Sequence, residues 1–503
     1  MRTNVLRGFI SILGAKVTVL LIGLLTTPIL VRLLGSAQYG DYAFLLSVLG
    51  VTMVLANAGI FDGMRKYIAE ERDHPNWTEY VFGFYLRIAF GLAIFVSIIY
   101  AVFSWAGFSK QLFSPEFTVY FYLLSSLIII RQTYSLARGG LMGLGFENQS
   151  EPLNILRKVI FALIGLSLTY FGHGVVGILT GHVIASLTVS FLAFRILSNR
   201  INLRKIFDKT PPDFPKQELL SFNGLSVILI LLTSSLYHID ILLLRPLAGS
   251  EATGYYRAAL TIAEFLWFVP NALQMVLLHS TSELWAKGRT DRITMMVSQI
   301  TRHNLSLVIL LAIGLAVLAD DFVPFYFGSE FEPVVLPLLL LLPGVIGFSL
   351  ARPIFAVGQG KGELPILIVA TGTAALVNLC LNILLIPRYE MVGAAIATSI
   401  GYGSMMILHI YAARQIGYNP IADLRFWRIT TVAMIAGVVI FGVSSVIDSS
   451  LLSLLIVPPI GFMVYATLMI KFEIIHKSEV NKIIQQLPNS IEKYITTLVE
   501  IAR

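Results

Sequence analysis

The chain has 503 residues, 56% of them hydrophobic and only 13% charged, with a formal charge of +7 and one cysteine. Such a composition excludes an ordinary soluble domain, because almost no polar sequence is left to cover a water-facing surface. It also excludes a disulfide scaffold or a thiolate metal centre, and Cys380, alone in an apolar segment, reads as a small buried hydrophobe. The basic excess points to membrane loops, where lysine and arginine gather, and not to nucleic acid.

At the start of the chain, Arg2 and Arg7 precede an apolar run that reaches Leu34 without a small-residue cleavage site. A retained first helix is therefore expected in place of a signal peptide. About fourteen apolar runs succeed one another to Lys471, each near the roughly 20 residues that a helix needs to cross the hydrocarbon core. They lie near 9–33, 39–61, 80–105, 117–138, 152–171, 174–197, 219–244, 254–279, 303–325, 334–356, 364–386, 391–413, 426–447 and 450–471. Lipid offers no partner for a backbone amide, so these segments must be helices. The expected fold class is an all-α polytopic membrane protein.

Loop charge orients the segments. One side collects Arg2, Arg7, Arg65, Lys66, Arg72, Arg138, Arg157 and Lys158, then Arg195, Arg200, Arg204, Lys205, Lys209 and Lys216 in and beside the polar stretch from Ser198 to Glu218, which includes Pro211, Pro212 and Pro215. It continues with Lys287, Arg289, Arg292, Arg302, Arg352, Lys361, Arg414, Arg425, Arg428 and the tail. The other side holds little beyond Arg32, Lys110, Arg245 and Arg388, and carries Asp320, Asp321, Glu330, Glu332 and Asp448. The ratio of roughly 28 to 4 predicts a multi-pass protein of the cell membrane with both termini cytoplasmic.

The chain also repeats itself at an offset of about 214 to 216 residues. Gly35-Ser36 and Tyr39-Gly40 are echoed by Gly249-Ser250 and Thr253-Gly254, Arg138 by Arg352, and Val176-Gly177 by Val392-Gly393. Two six-helix lobes around a central cavity are expected, at 1–210 and 211–415, with two further helices at 416–471 and an amphipathic cytoplasmic tail at 472–503. Pro28, Pro270, Pro343 and Pro353 fall inside segments, where they interrupt the backbone ladder.

Ionisable side chains deep in apolar helices usually face a cavity or a partner. Lys16, Arg87 and Arg131 each lie about two turns from the basic end of the first lobe, a pattern that suits an anionic, phosphate-bearing ligand. Snorkelling to the headgroups is the alternative. In the second lobe Asp240, Arg257 and Glu264 suggest a structural ion pair. The oxygens of Asp240, Asn378, Asn382 and Thr398 also form a candidate site for a small hard cation. Gly358-Gln359-Gly360-Lys361-Gly362 lacks the spacing and the hydroxyl residue of a nucleotide loop, so ATP is not an expected power source. No catalytic motif is evident.

Val31-Arg32-Leu33-Leu34-Gly35 with Tyr39-Gly40, the run Asn378 to Pro387, and Val392-Gly393-Ala394-Ala395-Ile396-Ala397-Thr398 together resemble the polysaccharide-export flippase family. That family belongs to the multidrug/oligosaccharidyl-lipid/polysaccharide exporter superfamily. Glu390 stands where the family usually has glycine. The resemblance implies a fold like that of the multidrug exporters, translocation of a polyprenyl-diphosphate-linked oligosaccharide by alternating access, and no enzymatic activity. It implies no cofactor beyond coupling Na⁺ or H⁺, with an ion gradient or the membrane potential as the driving force. A related flippase binds sodium with helices 7, 11 and 12, and Asp240, Asn378, Asn382 and Thr398 look like a similar arrangement. Expected partners are the lipid-linked oligosaccharide, membrane lipids and a glycan polymerase or ligase, with a single chain as the working unit. A multidrug exporter and a membrane-embedded glycan polymerase or transferase stand as the alternatives.

Overall fold

The computed structural model describes residues 2–70, 72, 74–221, 224–476 and 479. Its helices in chain order are α1 (Arg2–Asn57), α2 (Ile60–Ala69), α3 (Trp77–Trp105), α4 (Phe108–Leu112), α5 (Phe117–Gly143), α6 (Glu147–Leu168), α7 (Gly174–Leu197) and α8 (Lys216–Ser221). They continue as α9 (Gly224–Glu264), α10 (Phe268–Ala286), α11 (Thr290–Val317), α12 (Ala319–Phe327), α13 (Val335–Lys361), α14 (Leu364–Ile416), α15 (Phe426–Ser445) and α16 (Ser450–Lys471). No strand occurs among the described residues. Nine stretches there are long and apolar enough to cross a membrane. Large apolar side chains such as Leu25, Phe95, Leu163, Phe191, Val438 and Phe462 stand exposed on them, a surface that suits lipid and not water.

Several expected loops are single-residue breaks in a continuing helix. α1 turns at Gly35 (φ 68°), α9 at Gly249 (φ 90°) and α14 at Glu390 (φ 47°), each at the junction between two expected segments. Between α6 and α7 the break is a single π-helical turn, Thr169–His173, closed by Gly172 and Gly174 at positive φ. Divided at these breaks, and with α5 added, the nine stretches are consistent with the expected fourteen crossings. Pro270 explains another interruption: it has no N–H to give and crowds the turn before it, and Phe265–Trp267 tightens to a 3₁₀ turn there.

One boundary is corrected. The segment expected at 303–325 begins at Thr290 and ends at Val317, with α12 following as a separate helix. Polar residues Ser298, Thr301 and Arg302 depress the apolar signal of its first turns, yet all three are buried. Arg302 is fully enclosed because Asp423 and Glu479 pair with it. Cys380 is also corrected, since it is exposed and not buried. The tail beyond 479 lies outside the described residues.

The chain separates into two compact units, Met1–Arg257 and Ala258–Arg503. The first extends past the lobe boundary expected near 210, and its own contacts give the reason. A Cβ on Gly40 would lie 1.8 Å from the carbonyl oxygen of Ser250, and one on Gly254 would lie 1.9 Å from that of Ser36. The echoed motifs thus cross each other, glycine on serine carbonyl in both directions, and Arg245 reinforces the crossing with a 2.5 Å ion pair to Asp41. Small residues allow the same closeness elsewhere: a Cβ on Gly181 of α7 would meet the Cα of Gly165 of α6 at 2.5 Å. In the second unit α13 and α14 approach likewise, Gly344 having no room beside Ser399 and donating its N–H to the Ser399 hydroxyl at 2.8 Å.

Candidate functional site: a cationic cavity in the first unit

α5 carries Arg131 and Arg138 seven residues apart, hence on one face about 10 Å from each other along the axis. α6 presents Glu151, Asn154, Lys158 and Phe161 at successive spacings of three and four, which also defines one face, with Arg157 beside it. These two faces, with Lys16 of α1 and His182 of α7, line a cavity of about 400 Å³.

Glu151 is the only carboxylate among the lining residues, against Lys16, Arg131, Arg138, Arg157 and Lys158. Its side chain is 3% exposed and accepts a hydrogen bond from Arg138 Nη2 at 2.5 Å. The second carboxylate oxygen accepts from Asn154 Nδ2 at 3.2 Å, and Asn154 Oδ1 accepts from the Tyr134 hydroxyl at 3.1 Å. Aromatic faces support two more cations, Arg157 over Tyr134 at 5.4 Å and Lys158 over Phe161 at 5.1 Å. Phe161 in turn stacks on His182 at 4.0 Å, and His182 Nε2 is 2.8 Å from the Tyr42 hydroxyl. The Nε atoms of Arg131 and Arg138 are buried and have no hydrogen-bond partner in the protein. A guanidinium with a free edge in a low-dielectric cavity is suited to fork onto phosphate or carboxylate oxygens.

Arg138 also borders a neighbouring cavity of about 350 Å³, where Asn57, Asp62 and Ser135 contribute polar groups. Asp62 sits on α2, outside the candidate spans. Burial raises its carboxyl above the usual range, against the opposing pull of Arg65 and Arg138.

Of the three cations expected to cluster, the structure brings together Lys16 and Arg131. Arg87 does not join them. It is exposed, and its Nη1 donates to the Ile206 carbonyl at 3.2 Å, clamping the polar stretch onto α3. The close approach of Gly83 to that same carbonyl makes the clamp possible. The residues not singled out from sequence are Arg138, Arg157 and Lys158, which count there only among the charges of the basic side. The seven-residue spacing from Arg131 and the lone Glu151 amid a basic helix face were the available signals.

The expected cation ligands divide between the units. In the first, Asp240 is fully buried and accepts from the Ile241 N–H at 2.8 Å and from the Tyr256 hydroxyl, a partner not foreseen. Arg257 and Glu264 fall on either side of the unit boundary, and their pairing with Asp240 stays an expectation. In the second, Asn378, Asn382 and Thr398 are fully buried on the two halves of α14. Asn378 Nδ2 donates to the Thr398 hydroxyl at 3.4 Å and Asn382 Nδ2 to the Asn378 carbonyl at 2.9 Å. Both amide oxygens, Asn378 Oδ1 and Asn382 Oδ1, are buried with no hydrogen-bond donor. Two such orphaned oxygens fit a hard cation such as Na⁺.

A family model described as polysaccharide biosynthesis protein matches residues 5–278, more than half of the chain. The chain belongs to this family. Among its relatives is the protein named "Probable low-salt glycan biosynthesis flippase Agl15" of Haloferax volcanii, 24% identical over 468 residues that cover 91% of this chain and 94% of that protein. The fold is shared with solved structures of transporters. The lipid II flippase MurJ in an inward closed conformation superposes with a TM-score of 0.74 at 15% identity, covering 90% of this chain and 96% of that one. An inward-facing multidrug resistance transporter of the MATE family gives 0.66 at 16% identity, with 80% and 95% covered. Both the all-α class and the likeness to multidrug exporters are thereby established.

Proposed function

We propose that the protein is a flippase that moves a polyprenyl-diphosphate-linked oligosaccharide from the cytoplasmic to the outer leaflet by alternating access. The observation that carries this reading is the cationic cavity, in which five basic side chains face one carboxylate and two arginine Nε donors lack a partner. A diphosphate supplies the charge and the bidentate oxygens that such donors need. The second unit holds a separate cavity of about 640 Å³ whose walls are almost wholly apolar, Leu310, Leu311, Leu315, Leu454, Leu455 and Phe462 among them. Such walls suit a hydrocarbon chain. Relatives named as flippases, Agl15 and AglR of Haloferax volcanii and MurJ of Bacillus subtilis, support the reading. Solved structures of this fold have been captured facing inward and facing outward, which supports alternating access. The direction rests on the loop charge. We take the working unit to be one chain that transports without catalysis, uses a Na⁺ or H⁺ gradient, and hands its cargo to a polymerase or ligase. The alternative of a multidrug exporter fits less well, because a basic cavity repels the cationic drugs that such exporters favour.

The test is complementation of a strain that lacks its own lipid-linked glycan flippase. Arg131→Ala with Arg157→Ala removes two cavity cations and is expected to reduce function at least tenfold while the protein stays in the membrane, since each charge-assisted contact contributes about 1.5–3 kcal/mol. Arg87→Ala, outside the cavity, should retain function. A fully active double variant would exclude the cavity as the phosphate site.

A further inference from the structure

We propose that Glu151 is a positioning residue that acts through Arg138: it serves as the cavity's internal counter-anion when no ligand is bound, and yields Arg138 to the ligand's phosphate when one is. This rests on the anion-binding reading above and adds a role that the cationic residues do not explain. A site built only for tight phosphate binding has no use for a carboxylate. Here one is present, nearly fully buried, and aimed at an arginine of the binding face.

The geometry explains how it works. An enclosed guanidinium without a counter-charge is strongly unfavourable, and Glu151 removes that cost in the empty cavity. It engages Arg138 only through Nη2 and leaves Nε without a partner. The Arg138 side chain is 26% exposed all the same, so part of it stays open to an incoming phosphate oxygen. Glu151 itself cannot follow, because Asn154 holds its other oxygen and Tyr134 holds Asn154. Exchange therefore proceeds by movement of Arg138, for which the neighbouring cavity past Asn57 and Ser135 leaves space. Once the phosphate is seated, the fixed carboxylate remains as a competitor for Arg138. That competition lowers the affinity of the loaded state and speeds release. A carrier needs both, since a ligand held too tightly in the loaded state stalls the cycle. Glu151 in this way exchanges affinity for turnover.

The experiment uses the full-length chain in detergent, with farnesyl diphosphate as the probe and farnesol as the uncharged control. Glu151→Gln keeps the shape and the Asn154 contact but removes the charge. It should bind farnesyl diphosphate roughly three- to tenfold more tightly than wild type, in the lower part of the range for coupling between two paired side chains. In the complementation assay the same variant should be slower. The gain should largely vanish in the Arg138→Gln background, because the two residues act as one pair. Should Glu151→Gln not fold, Glu151→Asp draws the same charge back by one methylene and should shift affinity in the same direction by less. Unchanged or weaker binding in both Glu151 variants overturns the proposal, as does an equal gain with and without Arg138. If wild type does not distinguish farnesyl diphosphate from farnesol, the anion-binding reading itself fails and this inference with it. If it distinguishes them but neither Glu151 variant tightens binding, only the role of Glu151 falls.

Discussion

Glu390 shows how a single residue can carry information that its neighbours do not. In sequence it was a departure from a usual glycine in a short loop; in the structure it holds φ 47° and ψ −125°, a region that side chains other than glycine avoid. Holding a glutamate there costs on the order of 1–3 kcal/mol. Glu390→Gly relieves that strain but loosens the unfolded chain by about 0.4–1 kcal/mol. The net expectation is a more stable protein, read as a rise of a few degrees in its detergent unfolding temperature; a fall would mean that the Glu390 side chain has a compensating contact. Legibility at this scale was uneven for a physical reason. Lys16 and Arg131 stood out because lone charges in apolar runs are conspicuous, whereas Arg138, Arg157 and Lys158 sit near the ends of their apolar runs, where a cavity wall and a solvated loop have the same composition. Arg302 was hidden likewise, since its carboxylate partners lie 121 and 177 residues further along.

At the scale of elements, apolar length recovered the long helices, because the bilayer sets one dimension for all of them, and the short α2, α4, α8 and α12 were not foreseen. Polar helix turns were lost: the first turns of α11 carry Ser298, Thr301 and Arg302 inward and read from sequence as loop. Helix joints could be located but not typed, since a kink and a loop both appear as glycine beside polar residues. The kinks now separate two uses of glycine. Gly249 needs its positive φ yet has nothing within 4 Å of a prospective Cβ, whereas Gly254 needs space. Gly249→Ala should therefore cost about 1–2 kcal/mol, from backbone strain alone. Gly254→Val must push the Ser36 carbonyl aside, and about 3 kcal/mol or more is expected. Ranking the two variants by thermal unfolding checks the assignment, and an equal loss would contradict it.

For the whole molecule, the apolar runs gave the class, and charge and repeat gave an expected orientation and an expected grouping of helices. Orphaned oxygens on Asn378 and Asn382 make sodium the ion to test first. Sodium at a hundred times its dissociation constant would stabilise the protein by about 2.7 kcal/mol, several degrees in unfolding temperature. Asn378→Ala with Asn382→Ala should abolish that shift, and potassium should not produce it in wild type; a wild type indifferent to sodium excludes the site. The crossing of Gly40 with Gly254 bears on how such a chain arose. What Ser36 does to Gly254, Ser250 does to Gly40, the reciprocity of two identical subunits meeting across a two-fold axis. In a half-length protein pairing with its own copy, one codon would govern both contacts, and any added bulk would be felt twice. Joining the copies into one gene frees each position to vary alone. Both positions are glycine here, and the close backbone approach leaves no room for a Cβ at either.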